Sequence, residues 1–264
     1  MNIKRILAVA VSAGLLAWLM ADGRWRGLGE VFARLDGLTL GLAAAGFGLS
    51  YLLRALRIFD EFRAQAGGRF GTCLRITLIH NAMINVVPFR GGEAAFPLLL
   101  RKNFGVPLPR AIASLFWFRL QDAFVVMALA AIVWPGLHPA LKAAAVLGVV
   151  AIAWWLPRWA RAPHAWADGS GFIAKFAKVR DAFAESTRHA RYGWVWTIAN
   201  WTVKLAAQAG LLAALIPATA SVGAAGALGA ELAAILPIQG VAGFGTYEAG
   251  AAAAMLPSGV ALAS

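Results

Sequence analysis

The chain has 264 residues, 61% of them apolar and only 14% charged, with a mean hydropathy of +0.70. Soluble domains carry roughly 25% charged residues, so this much apolar surface cannot be hidden in one soluble core, and the composition excludes a soluble enzyme. The net charge of +12 would suggest nucleic acid in a soluble chain, but in a bilayer protein basic residues gather at cytoplasmic helix ends and meet anionic lipid. The chain therefore reads as membrane-embedded, with no nucleic-acid partner.

A spanning helix needs about 20 mostly apolar residues. The first apolar run, 6–20, follows Lys4 and Arg5 and imitates a signal peptide. Leu19 stands where a cut after Ala21 would need a small residue, so the run is predicted to be an uncleaved span. Runs at 38–53, 111–134, 140–156 and 193–216 predict four further spans. Two other apolar stretches are broken in the middle: 72–100 at Pro88-Phe89-Arg90-Gly91-Gly92-Glu93, and 224–256 between Pro237 and Glu248. Proline and glycine at such density end a helix. The segment 157–192 carries Phe172, Ile173, Phe176, Val179 and Phe183 at helical spacing, opposite Lys175, Lys178 and Arg188. That pattern predicts an amphipathic helix lying on the membrane surface. Seven of the eleven tryptophans fall between 154 and 201, where they would form an interfacial belt around it.

Charge bias assigns the sides. If 72–100 is a re-entrant hairpin, leaving on the side it entered, one side holds four basic groups: Lys4 and Arg5; Arg54, Arg57, Arg63, Arg69 and Arg75; Arg101, Lys102 and Arg110; and seven residues from Arg158 to Arg191. The other side keeps Arg24, Arg26, Arg34 and Lys142. A full crossing would move the last group outward, against the positive-inside rule. The stretch 224–256 is then expected to dip in from the outer face. Two broken helices entering from opposite sides are what an inverted repeat looks like in sequence. The expectation is one polytopic domain over 1–264, all-α, with five full spans, two opposed hairpins and one interfacial helix, its N-terminus cytoplasmic in a bacterial inner membrane.

Charged side chains at membrane depth cost about 2.5–3.5 kcal/mol each on insertion scales, so they face a cavity or a partner. Arg90, Glu93, Arg119, Asp122, Lys204, Glu231 and Glu248 are such residues. Asn200, Lys204 and Gln208 recur every fourth residue and make a polar stripe; Asn81 and Asn85 repeat the pattern, with His80 alongside. The bland alternative is that these groups only brace the hairpins, whose irregular backbone needs partners. As a set they are more polar surface than bracing requires, and a cavity is expected. Arg90, beside a glycine-rich tip, suits a phosphate. A single cysteine, Cys73, and four scattered histidines predict no disulfide, no metal site and no cofactor.

The run Asn85-x-x-Pro88-x-Arg90-Gly91-Gly92-Glu93, then Leu100-Arg101, Phe104-Gly105-Val106 and Arg119-x-x-Asp122, resembles the lysylphosphatidylglycerol synthase transmembrane (flippase-like) family. Gly243-Phe244-Gly245-Thr246-Tyr247-Glu248-Ala249 is similar to that family's second signature. The resemblance implies a multi-span protein that moves or modifies lipid-linked molecules, with Asn85, Arg90, Glu93, Arg119, Asp122 and Glu248 as its functional set. No soluble aminoacyl-transferase domain follows in this sequence, so synthase activity is not implied. The leading expectation is a transporter or flippase for an anionic or polyprenyl-phosphate-type lipid. Asn85, Arg90, Arg119 and Lys204 would bind the substrate, while Glu93, Asp122 and Glu248 would balance charge or carry protons. A membrane-embedded transferase acting on lipid head groups, and an accessory subunit positioning a lipid-modifying enzyme, are the rivals. Oligomeric state, a homo-oligomer included, is left open.

Overall fold

The computed structural model describes residues 35–87, 91–134, 136–163, 171–188, 191–216, 219–234 and 246–258, with Gly29 and Ala33. Among them every long element is a helix: α1 Gly37–Glu61, α2 Phe70–Val86, α3 Ala95–Phe104, α4 Leu108–Val133, α5 Pro139–Arg161, α6 Phe172–Ser186, α7 Gly193–Leu215, α8 Ala220–Ala233 and α9 Thr246–Met255. The chain is an all-α, multi-pass membrane protein. Four of these helices, α1, α4, α5 and α7, are long and apolar enough to cross a bilayer. They coincide with the runs at 38–53, 111–134, 140–156 and 193–216. The expected first span, 6–20, lies outside the described residues.

Local chemistry sets the helix ends. Asp36 caps α1: its Oδ1 accepts the Thr39 N–H at 2.6 Å. That bond also holds the exposed Asp36 carboxyl below its ordinary value. Gly105 closes α3 in the left-handed region at φ 68°, a conformation few residues other than glycine adopt easily. Pro109 sits in the first turn of α4, where its missing N–H costs nothing. Two spans run further than their apolar cores suggest. Helix α1 continues from Leu53 to Glu61, and α5 continues through Pro157 to Arg161.

Contacts define the packing. Helix α1 runs antiparallel to α7, with Ser50 bonded to Asn200 and Asp60 to the Tyr192 N–H. The two approach closely at Gly46, where an added Cβ would come within 2.8 Å of Ala207 Cβ. Helix α4 is antiparallel to α1 through Arg57–Phe118 and Glu61–Ser114. Helices α2 and α3, of 17 and 10 residues, are about 25 and 15 Å long, short of the roughly 30 Å hydrocarbon core. They lie antiparallel, joined beyond 88–90 by a 3-10 turn at Gly91–Ala94. His80 packs on Phe96, Arg75 bonds Asn103, and Gly92 is pressed against Met83 O so that no Cβ fits. Helices α8 and α9 form a second antiparallel pair, with Gly229 and Gly250 so close that a Cβ on either would overlap the other's carbonyl.

Among the described residues the apolar core sits in three clusters. Ile58, Phe62, Ile76, Phe96, Leu100 and Phe118 join α1 to α4. Val126, Trp201, Leu205 and Leu228 join α4, α7 and α8. Trp117, Ala160 and Phe183 tie α6 to α4 and α5. Outward faces carry Leu42, Leu147, Val150 and Ile152, exposed as lipid-facing side chains are. The C-terminal end of α1, the start of α2, the end of α3, the start of α4, the end of α5 and the start of α7 all meet at one end of the molecule.

Candidate functional site

A cavity of about 450 Å³ lies among α1, α2, α4, α7, α8, α9 and the Gly91–Ala94 turn. Its charged walls come from the middles of α4 and α7 and from the C-terminal half of α1. Lys204 is the central residue of α7, Arg119 and Asp122 flank the centre of α4, and Arg54 and Arg57 come from α1. Polar residues here would be unstable against lipid, so each helix turns them inward and they meet one another.

Among the described residues, three ion pairs closer than 3 Å organise the walls. Arg57 Nη1 donates to Asp122 Oδ1 at 2.7 Å, and its Nη2 donates to Phe118 O and Gln121 Oε1. The Arg57 guanidinium carbon also lies 4.2 Å from the Phe118 ring centroid. The Trp201 indole N–H donates to the same Asp122 oxygen at 2.9 Å. Arg119 Nη2 donates to Glu93 Oε1 at 2.7 Å, while His80 Nε2 lies 3.3 Å from Glu93 Oε2. Lys204 Nζ donates to Glu231 Oε1 at 2.6 Å, and Gln208 and Tyr247 donate to that oxygen at 2.8 and 2.7 Å. Each pair bridges two different elements: α1 to α4, the Gly91–Ala94 turn to α4, and α7 to α8.

A fourth cation is held differently. Arg54 directs Nε at Asn200 Oδ1, 3.3 Å away, and Nη1 at Asn81 Oδ1, 3.4 Å away. Neighbours orient both amides: Ser50 Oγ donates to Asn200 Oδ1 at 2.6 Å, and Asn81 Nδ2 donates to Tyr51 OH at 2.7 Å. Among the described residues no carboxylate forms an ion pair with Arg54.

The expected site residues are distributed unevenly. Asn85, Glu93, Arg119, Asp122 and Lys204 all line the cavity. Arg90 lies outside the described residues. Arg119 and Asp122, three residues apart, are loosely placed at 3.8 Å; each has a closer partner on another element. Lys204, expected to bind substrate, is engaged by Glu231, because α8 brings that carboxylate against the middle of α7. Glu248 does not line the cavity; it is exposed on α9, and its neighbours Thr246 and Tyr247 face inward instead. A register one residue off on a helix turns the side chain by about 100°, which is enough to exchange these roles.

Arg54 and Arg57 were the residues that composition hid. They stand at the end of an apolar run and read, in sequence, as basic residues of a membrane surface. Both lie within α1, and Arg57 is 4% exposed. The available signal was helical phase: Ser50, Arg54 and Arg57 share a face, and Tyr51 adjoins it. Among the described residues, no group of three His, Cys, Asp or Glu side chains is placed to hold a metal ion.

The family model described as the lysylphosphatidylglycerol synthase TM region matches residues 5–264. Among curated proteins and among solved structures, no match to the chain was found.

Proposed function

The chain belongs to the lysylphosphatidylglycerol synthase TM region family, a membrane domain linked to lipid handling, and from that premise we propose that it is a transporter or flippase. Its substrate is an anionic or polyprenyl-phosphate-type lipid, moved across the bacterial cytoplasmic membrane. The observation that carries this reading is the charged cavity at the middle of α4 and α7, where, among the described residues, four cations and three carboxylates line about 450 Å³. Hydrocarbon tails gain nothing from such a lining, but a polar headgroup crossing the membrane needs it. A lipid cargo accords with the family's link to lipid handling.

The two antiparallel pairs, α2–α3 and α8–α9, support the same reading. Each would be a re-entrant hairpin, and together they contribute Asn85, Glu93, Glu231 and Tyr247 to one cavity. In transporters built on inverted repeats, broken helices converge on the substrate at mid-membrane in this way. Arg119 is the paired cation most open to the cavity, with 39% of its side chain exposed, and a headgroup would exchange with Glu93 there. Glu93, Asp122 and Glu231 balance the cations when no anion is bound.

Proteoliposomes carrying a fluorescent anionic lipid test this. The expected result is protein-dependent movement of the chemically unchanged lipid between leaflets. Conversion to a new lipid product would favour a transferase, and an unaltered leaflet distribution with no product would overturn the proposal.

A further inference from the structure

The cavity holds four cations and three carboxylates among its described residues. Arg57, Arg119 and Lys204 each have a carboxylate oxygen within 2.7 Å. Arg54 has two amide oxygens at 3.3 and 3.4 Å instead. A guanidinium in a poorly polar surrounding is stabilised far less by a neutral amide than by a carboxylate. A bracing role would therefore be served better by an acidic residue at 81 or 200. The asparagines do something else: they take one N–H from Nε and one from Nη1, fixing the plane of the guanidinium. Tyr51 and Ser50 in turn fix the amides, so the arrangement is built from second partners outward. Of the five guanidinium N–H donors, three remain for a group in the cavity.

We propose that Arg54 is the anion-receiving residue of this cavity, held open by Asn81 and Asn200 for an oxyanion of the phosphate class. The inference rests on the reading of the cavity as a headgroup site. It departs from the sequence expectation, which gave that role to Arg90, Arg119 and Lys204. The planar fork of arginine matches two phosphate oxygens at once. A single uncompensated positive charge among the described residues of the site leaves it near neutral when an oxyanion arrives. The same chemistry could come from a lipid headgroup or from free phosphate.

The test uses the full chain in detergent micelles, with binding followed by intrinsic tryptophan fluorescence. The probes are dioctanoyl phosphatidic acid, inorganic phosphate, and dioctanoyl phosphatidylcholine as the zwitterionic control. The expected result is binding of the acidic lipid that weakens about tenfold or more in Arg54→Gln, the loss typical of a charge-assisted bond. Asn81→Asp should weaken it similarly, because a carboxylate there turns Arg54 into a fourth closed pair. This second variant retains the guanidinium and an oxygen for Tyr51, so it decides the matter if Arg54→Gln does not fold. Unchanged affinity in either folded variant would overturn the assignment of Arg54, whatever the wild type transports. Phosphate that competes with phosphatidic acid, with both weakened by the variants, identifies the lipid's own phosphate as the group bound. Arg54-dependent binding of phosphate without the lipid would uphold the residue and sink the lipid reading. A wild type that binds neither acidic probe would overturn both.

Discussion

At the scale of single residues, three of the cavity's described cations are closed against carboxylates, while Arg54 is held by amides alone. Lys204 illustrates the consequence. It donates to Glu231 within a site that also takes Gln208 and Tyr247, and removing one partner of a buried pair leaves the other uncompensated. Lys204→Met should destabilise the protein by about 3–5 kcal/mol. Adding Glu231→Gln should recover part of that loss. Denaturant unfolding of the two singles and the double in detergent measures the coupling, and strict additivity would show that the pair contributes nothing. Glu93→Gln has the opposite functional sign. It releases Arg119 from its 2.7 Å partner and adds a second uncompensated cation to the cavity. Affinity for an anionic lipid should rise several-fold at low salt, while affinity for a zwitterionic one stays unchanged. Titration with both lipids decides it.

At the scale of elements, close approach of backbones holds the bundle together. Between lipid-exposed helices there is little hydrophobic drive, so small residues that admit tight packing supply the association. Helix α8 concentrates them: Gly223 is pressed on Ala209 of α7, Gly226 on Met255 and Gly229 on Gly250 of α9. Gly229→Ala should force α8 and α9 apart, costing roughly 1–3 kcal/mol as overpacking does, and should loosen the position of Tyr247. Gly210→Ala, on an open face of α7 with nothing near its Cβ, should instead be neutral or add up to about 1 kcal/mol. Thermal melts of the two variants separate a packing glycine from a merely tolerated one. The amphipathic segment also shows packing at work. Phe183 is buried against Trp117 at a centroid distance of 5.4 Å, whereas Val179 stays 65% exposed. Of the two described side chains of the apolar stripe of α6, Phe183 serves the protein interior and Val179 is left available to a membrane surface.

For the whole molecule, the arrangement of ends carries a topological prediction. The ends that charge bias places in the cytoplasm are the ones that meet: Arg69 reaches Asn103 O, and Asp60 reaches the Tyr192 N–H. In a Cys73→Ala background, Arg188→Cys should resist an impermeant maleimide in intact cells, and Ala140→Cys at the opposite end should be labelled. Labelling of Arg188→Cys alone would end the re-entrant reading of α2–α3 or reverse the orientation, and labelling of both would remove α5 as a full span.

The division between sequence and tertiary structure follows from the range of the forces. Spanning helices were legible because bilayer thickness demands a long apolar run, a property of each segment by itself. The end of α2 at Val86 and the turn at Gly91–Ala94 were legible because proline and glycine act locally on the backbone. The break expected between Pro237 and Glu248 lies, up to residue 245, outside the described residues. The polar stripe Asn200, Lys204 and Gln208 could be read from a period of four residues. Pairing could not. Whether Lys204 meets Glu231 or a ligand, whether Arg54 and Arg57 end a helix at the membrane surface or enter the interior, and whether Tyr247 or Glu248 faces the cavity all depend on which helix lies opposite. Charges interact over a few ångströms in space and are indifferent to distance along the chain. Arg54 therefore reads as one more surface arginine until α2 and α7 set Asn81 and Asn200, rather than carboxylates, beside it.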